Sequence, residues 1–141
     1  MVNTSREVVD ATVRGGFGEA CIGGVLRDHR GNILARFLRP LGISVPTGAN
    51  LAAILKACQI FSKLHWSESH KLMIESDSLL VVKWINDIRC TLSFFVELAN
   101  KCCDYCVKKG WKVGFEFRES NGIVHLLARK GIGRNQLILW Q

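Results

Sequence analysis

Beyond residue 49 the apolar residues stop alternating in twos and recur every three or four positions, and later strand-like runs come singly, each between helical segments. That change of period constrains the fold more than any other feature. A strand that returns to its own sheet through a helix takes a right-handed crossover and lies parallel to its predecessor. Before the change, three strand-like runs follow one another across short turns, so they pair antiparallel.

Glu7 to Val13 reads as a β-branched strand, and Gly15, Gly16 and Gly18 mark the turn behind it. A phosphate-cradling loop would pass from a strand into a helix. Here Ala20 to Leu26 continues as a second strand, joined to a third, Ile33 to Phe37, by the turn Asp28-His29-Arg30-Gly31-Asn32. Ala49 to Leu64 is the first predicted helix, with Leu51, Ile54, Leu55, Cys58 and Phe61 on its apolar stripe. Lys71 to Ile74 is a short buried strand, and Ser76 or Asp77 supplies the N-cap of a helix over Leu79 to Ile85. A third helix, Leu92 to Lys109, ends at Gly110; Trp111 to Arg118 alternates as a half-buried strand, and Ile123 to Arg129 forms a last short helix. The expected product is an α/β (α+β) domain spanning residues 1–141, with a five-stranded mixed sheet in the order βββαβααβα.

At 141 residues, 48% hydrophobic, the chain suits one core and shows no repeat or low-complexity tract. No apolar run approaches the roughly 20 residues that span a bilayer, and Met1 to Glu7 lacks the order of a secretory signal, so an intracellular protein with no membrane partner is expected. In a reducing compartment its six cysteines stay free. Cys103 and Cys106 stand alone as a Cys-x-x-Cys pair without a second pair or a nearby His, and read as the core face of a helix rather than a metal or redox site. Lys and Arg outnumber Asp and Glu by 19 to 12, a net charge of +7, which favours a polyanion such as nucleic acid as partner. Lys108, Lys109 and Lys112 around Trp111 suit a nucleic-acid contact equally with a solvated helix end beside a core Trp.

Five strings in order then carry a resemblance: Val9-Asp10-Ala11-Thr12, Ile22 to Gly31, Ala49 to Ile54, Ile74 to Ser78, and Arg118-Glu119-Ser120-Asn121 leading to Leu127-Ala128. Together they resemble the ribonuclease H fold, and especially the RNase H-like domains of plant retroelement-derived proteins, over nearly the whole chain. The resemblance implies an endonuclease of RNA/DNA hybrids that uses two Mg²⁺ or Mn²⁺ ions held by four acids. Clustered carboxylates are needed because two such ions, about 3.5 to 4 Å apart, repel one another unless their charge is offset. Carried over position by position, Asp10 and Asp77 match the first and third acids, although Ala11 replaces the usual Gly. Asn50 stands where the first-helix Glu is expected, and His125 where the last acid is expected. A neutral amide supplies an oxygen but no charge, while neutral imidazole is a passable ligand for divalent metals.

Each position has a plainer reading beside this one. Asp77 could serve only as a helix cap, Asp10 as a polar strand residue, and His125 as a hydrogen-bonded structural histidine. With two of the four acids replaced, the function expected is a monomeric nucleic-acid-binding domain, its partner an RNA/DNA hybrid, with weakened or absent hydrolysis. An active hybrid ribonuclease and a protein-interaction module are the alternatives.

Overall fold

The computed structural model describes residues 3–64, 70–116 and 138–140. Three antiparallel strands open it: β1 (Asn3–Val13), β2 (Gly18–Arg27) and β3 (Ile33–Ser44). They are followed by α1 (Pro46–Ser62), β4 (His70–Ser76), α2 (Leu79–Asn86), α3 (Val96–Lys109), β5 (Lys112–Phe115) and β6 (Ile138–Trp140). The sheet order is β5-β4-β1-β2-β3-β6. Both β4 on β1 and β5 on β4 are parallel, as the helices between them require. The expected mixed sheet of five strands is present, and a short sixth, β6, pairs antiparallel with the outer edge of β3. The expected last helix, Ile123 to Arg129, and the end of the alternating segment at Phe117 and Arg118 lie outside the described residues.

Three boundaries differ from the sequence reading. β3 continues past Phe37 through Pro40 to Ser44, with a register irregularity opposite Ala20 and Cys21 and Gly42 at φ 78°. The bulge absorbs the Pro and Gly that otherwise signal a strand's end. α1 starts at Pro46 instead of Ala49, since Pro is already shaped for a first helical turn. The start assigned to the third helix is instead a 3-10 turn, Ser93–Phe95, which follows another at Ile88–Cys90, and the α-helix itself begins at Val96. Its end is as expected, with Gly110 in the left-handed region at φ 71°.

The helices cover one face of the sheet. Val9, Leu72, Ile74 and Val113 point into this layer and meet Leu51, Ile54, Cys58 and Phe61 of α1 and Cys102 of α3. Trp111 belongs to the same core: it is 5% exposed, packs edge-on against Phe61 at 5.2 Å and stacks with Tyr105 at 6.2 Å. Of the two readings for the neighbouring lysines, the helix-end one holds, because a buried Trp111 offers no face to a base.

Glu7 is the anomaly of this layer. Alternation along β1 turns it toward α1 with Val9, and it is only 5% exposed. Its Oε1 lies against the spot a side chain on Gly24 would occupy, beside Phe37, so only glycine fits there. Burial raises the Glu7 carboxyl well above its ordinary range. A folded-state value above the unfolded one means the native chain holds the proton longer, so stability is full below about pH 4.5 and declines as pH rises. Glu7→Leu is therefore expected to raise the unfolding free energy at pH 7 by about 1–3 kcal/mol and to flatten its decline with pH, read from urea unfolding at pH 5, 7 and 9.

Candidate active site

The parallel pairing of β1 with β4 brings the two aspartates together. Its last partners are Val9 and Ser76, so Asp10 and Asp77 each follow by one residue on adjacent strands. Neighbouring strands lie about 4.8 Å apart. Alternation puts Asp10 on the face of β1 that carries Arg6, and the ion pair between Arg6 Nε and Glu75 Oε1 at 3.2 Å ties that face to β4. Asp10 is 2% exposed, and its Oδ1 accepts the backbone N–H of Ala11 at 2.8 Å. A carboxylate this buried in mid-sheet is poorly placed for a purely structural role.

Asp77 does not cap the helix that follows it. The N-cap of α2 is Ser78, whose hydroxyl accepts from Val81 N at 3.5 Å, while Ser76 Oγ accepts from Ser78 N at 3.2 Å. The turn is built by the two serines, and of the capping candidates Ser76, Asp77 and Ser78 it is Ser78 that caps. Ser78→Ala is expected to cost about 0.5–1 kcal/mol, near the low end for caps given the long bond, and Asp77→Asn less than that, both measured by urea unfolding without divalent cations.

Asn50 stands in the second turn of α1, the helix laid against β1 and β2. Its Nδ2 donates to the carbonyl of Pro46 at 2.9 Å, and its Oδ1 is buried with no hydrogen-bond partner among the described residues. A buried amide oxygen without a donor is costly unless something electropositive meets it. His125 lies outside the described residues, so the fourth corner has no structural account.

The sequence reading missed a carboxyl pair on the same face. Glu116 follows β5, its N–H donates to Ser76 O at 2.9 Å, and by alternation it shares the face of Glu75 and Asp77. The alternation Trp111, Val113 inward and Lys112, Gly114, Glu116 outward carried this signal. Glu116 turns to Glu75, with which it shares a hydrogen bond. Burial first, and then this bond, push the Glu75 carboxyl up to about 7 against the pull of Arg6.

These donors can be weighed against a metal. Two carboxylates offset the charge of one divalent cation, and an amide oxygen such as Asn50 Oδ1 is chemically a neutral oxygen ligand. Two ions would need more negative charge than Asp10 and Asp77 supply. Among the described residues no three His, Cys, Asp or Glu side chains are grouped to hold a metal ion. Among the described residues, then, Asp10 and Asp77 supply charge for one divalent cation.

A mixed sheet with parallel β4 and β5 added to an antiparallel meander, and acids where the β1–β4 pairing ends, defines a ribonuclease H-like fold. The match to solved structures agrees. RNase H1 from the archaeon Halobacterium salinarum superposes with a TM-score of 0.82 at 20% identity, covering 91% of this chain and 96% of that one. LC11-RNase H1, isolated from compost by a metagenomic approach, gives 0.84 at 21% identity, covering 92% and 96%. The latter enzyme, solved in complex with RNA/DNA hybrid, gives 0.81 at 21% identity over 91% and 96%. The reverse transcriptase-like family model matches residues 8–131, and the chain belongs to that family. No curated protein matches it.

Proposed function

We propose that this chain is a nucleic-acid-binding RNase H-like domain that takes RNA/DNA hybrids and whose capacity to hydrolyse the RNA strand is weakened or lost. The observation that carries the reading is the juxtaposition of Asp10 and Asp77 on adjacent strand ends while the third corner is the neutral Asn50. The fold is that of RNase H1 enzymes, one of which has been solved with a hybrid. The net charge of +7 suits a polyanion. Descent from a retroelement belongs to the same proposal, supported by the reverse transcriptase-like family.

Asp10, Asp77 and Asn50 would hold a divalent cation, with His125 as a fourth ligand on sequence grounds. When bound, the ion would polarise a phosphate oxygen and make a water more acidic. The chain's own part is to position the two carboxylates through the β1–β4 register and to leave Asn50 Oδ1 available by engaging its Nδ2 with Pro46. The charge Asn50 lacks is what a second ion would need.

A hybrid-cleavage assay in Mg²⁺ and in Mn²⁺ tests this. The wild-type chain is expected to bind hybrid with affinity that falls steeply with salt and to cut it slowly or not at all. Asn50→Glu should raise cleavage at least about tenfold, and Asp77→Asn should remove what activity there is. Fast wild-type cleavage unchanged by Asn50→Glu would establish the active enzyme instead, and absence of salt-dependent hybrid binding would favour a protein-interaction module.

A further inference from the structure

α1 and α3 run side by side in the same direction: Cys102 Sγ donates to Leu51 O at 3.7 Å toward one end, and Phe61 packs on Trp111 at 5.2 Å toward the other. On the side turned away from the sheet they leave a groove of about 460 Å³. Its walls are Leu55 and Gln59, one turn apart on α1, and Lys101, Asp104, Tyr105 and Lys108, which fall on one stripe of α3. The two lysines stand two turns, or about 10 Å, apart along α3, with Tyr105 between them and Leu55 on the opposite wall. Tyr105 is held in place by Trp111, the two rings stacked at 6.2 Å with their planes within 1° of parallel. Neither lysine is committed elsewhere. Lys101 has only an exposed pair with Glu97 at 3.9 Å, of a kind that contributes little. The carbonyl end of α3 is met by Lys71, whose Nζ donates to Lys109 O at 3.0 Å, so Lys108 is not needed there. Among the described residues Lys108 has no ion-pair partner.

We propose that this groove docks an acidic amphipathic helix of a partner protein, one that places two carboxylates two turns apart with an apolar side chain between them. The carboxylates meet Lys101 and Lys108, and the apolar side chain lies on Tyr105 and Leu55. Charge complementarity calls for an acidic partner, and Asp104 decides between a protein and a nucleic acid. It stands between the two lysines on the same stripe, where a phosphate backbone, with no cation of its own, is repelled; a peptide sets a Lys, an Arg or an amide opposite it. Leu55 adds to the discrimination, since a sugar-phosphate chain has no apolar side chain to bury on it. The groove lies on the outer side of the helix layer, and Asp10 lies on the face of β1 turned away from α1, so a partner here and a nucleic acid there are held at the same time.

The test uses the full chain as bait for displayed random peptides of about 16 residues, long enough for about four helical turns. The expected enrichment is of sequences with Asp or Glu at i and i+7 and Leu, Ile, Met or Phe at i+3 or i+4. A synthetic peptide of the enriched sequence is then titrated by fluorescence anisotropy. Lys101→Glu and Lys108→Glu should each weaken it at least about tenfold, while Lys83→Glu, the same change of net charge at an exposed position of α2, should leave it within about twofold. Replacing the peptide's first acid by Lys should restore binding to one of the two groove variants and not to the other, a result that loss of folding cannot give. RNA/DNA hybrid should not displace the peptide. No enrichment, enrichment of sequences without the two acids, or equal weakening by Lys83→Glu would each overturn the proposal. Displacement by hybrid would overturn it as well, by giving the groove to nucleic acid.

Discussion

The parallel ladder between β1 and β4 is the interaction on which both core and candidate site depend. Its register, Val9 opposite Ser76, sends Ser5, Glu7 and Val9 toward α1 and Arg6, Val8 and Asp10 to the other face. A slip by one residue would turn Asp10 into the helix layer and Val9 out of it, because side chains alternate strictly along a strand. The burial of Val9, Leu72 and Ile74 under α1 therefore sets the position of two carboxylates that touch none of them. Packing on one face positions chemistry on the other.

That placement has an electrostatic consequence. Asp10 and Asp77 follow the last paired residues of β1 and β4, and Asp10 is too buried for water to screen its charge well. One rung below on the same face, Glu75 and Glu116 meet the same difficulty with a shared hydrogen bond and the cation of Arg6. The lower pair is neutralised by a proton and an arginine belonging to the chain. The upper pair carries the charge that would offset one divalent cation.

Much of this was legible in the sequence, for particular reasons. The change from period two to period three or four exposed the parallel crossovers, and the local strings around Asp10, Asn50 and Asp77 placed those residues in a recognisable order. The course of β3 through Pro40 and Gly42 was hidden because a bulge lets a strand carry residues that normally end it. Ser78 as the cap could not be chosen over Ser76 or Asp77, since three capping residues in a row look alike until the backbone chooses between them. Glu116 was visible in the alternation of its strand but lacked meaning without the partner strand. His125 belongs to the sequence reading alone.

The central proposal is that Asp10 and Asp77, the paired acids among the described residues, hold charge for one divalent cation. Counting bound Mn²⁺ by electron paramagnetic resonance titration of the wild-type chain, beside Asp10→Asn and Asn50→Glu, tests it most directly. The expected result is one saturable ion in the wild type, its loss in Asp10→Asn, and a second ion or an affinity at least about tenfold higher in Asn50→Glu. Two ions bound by the wild type, or one that survives Asp10→Asn, would contradict it.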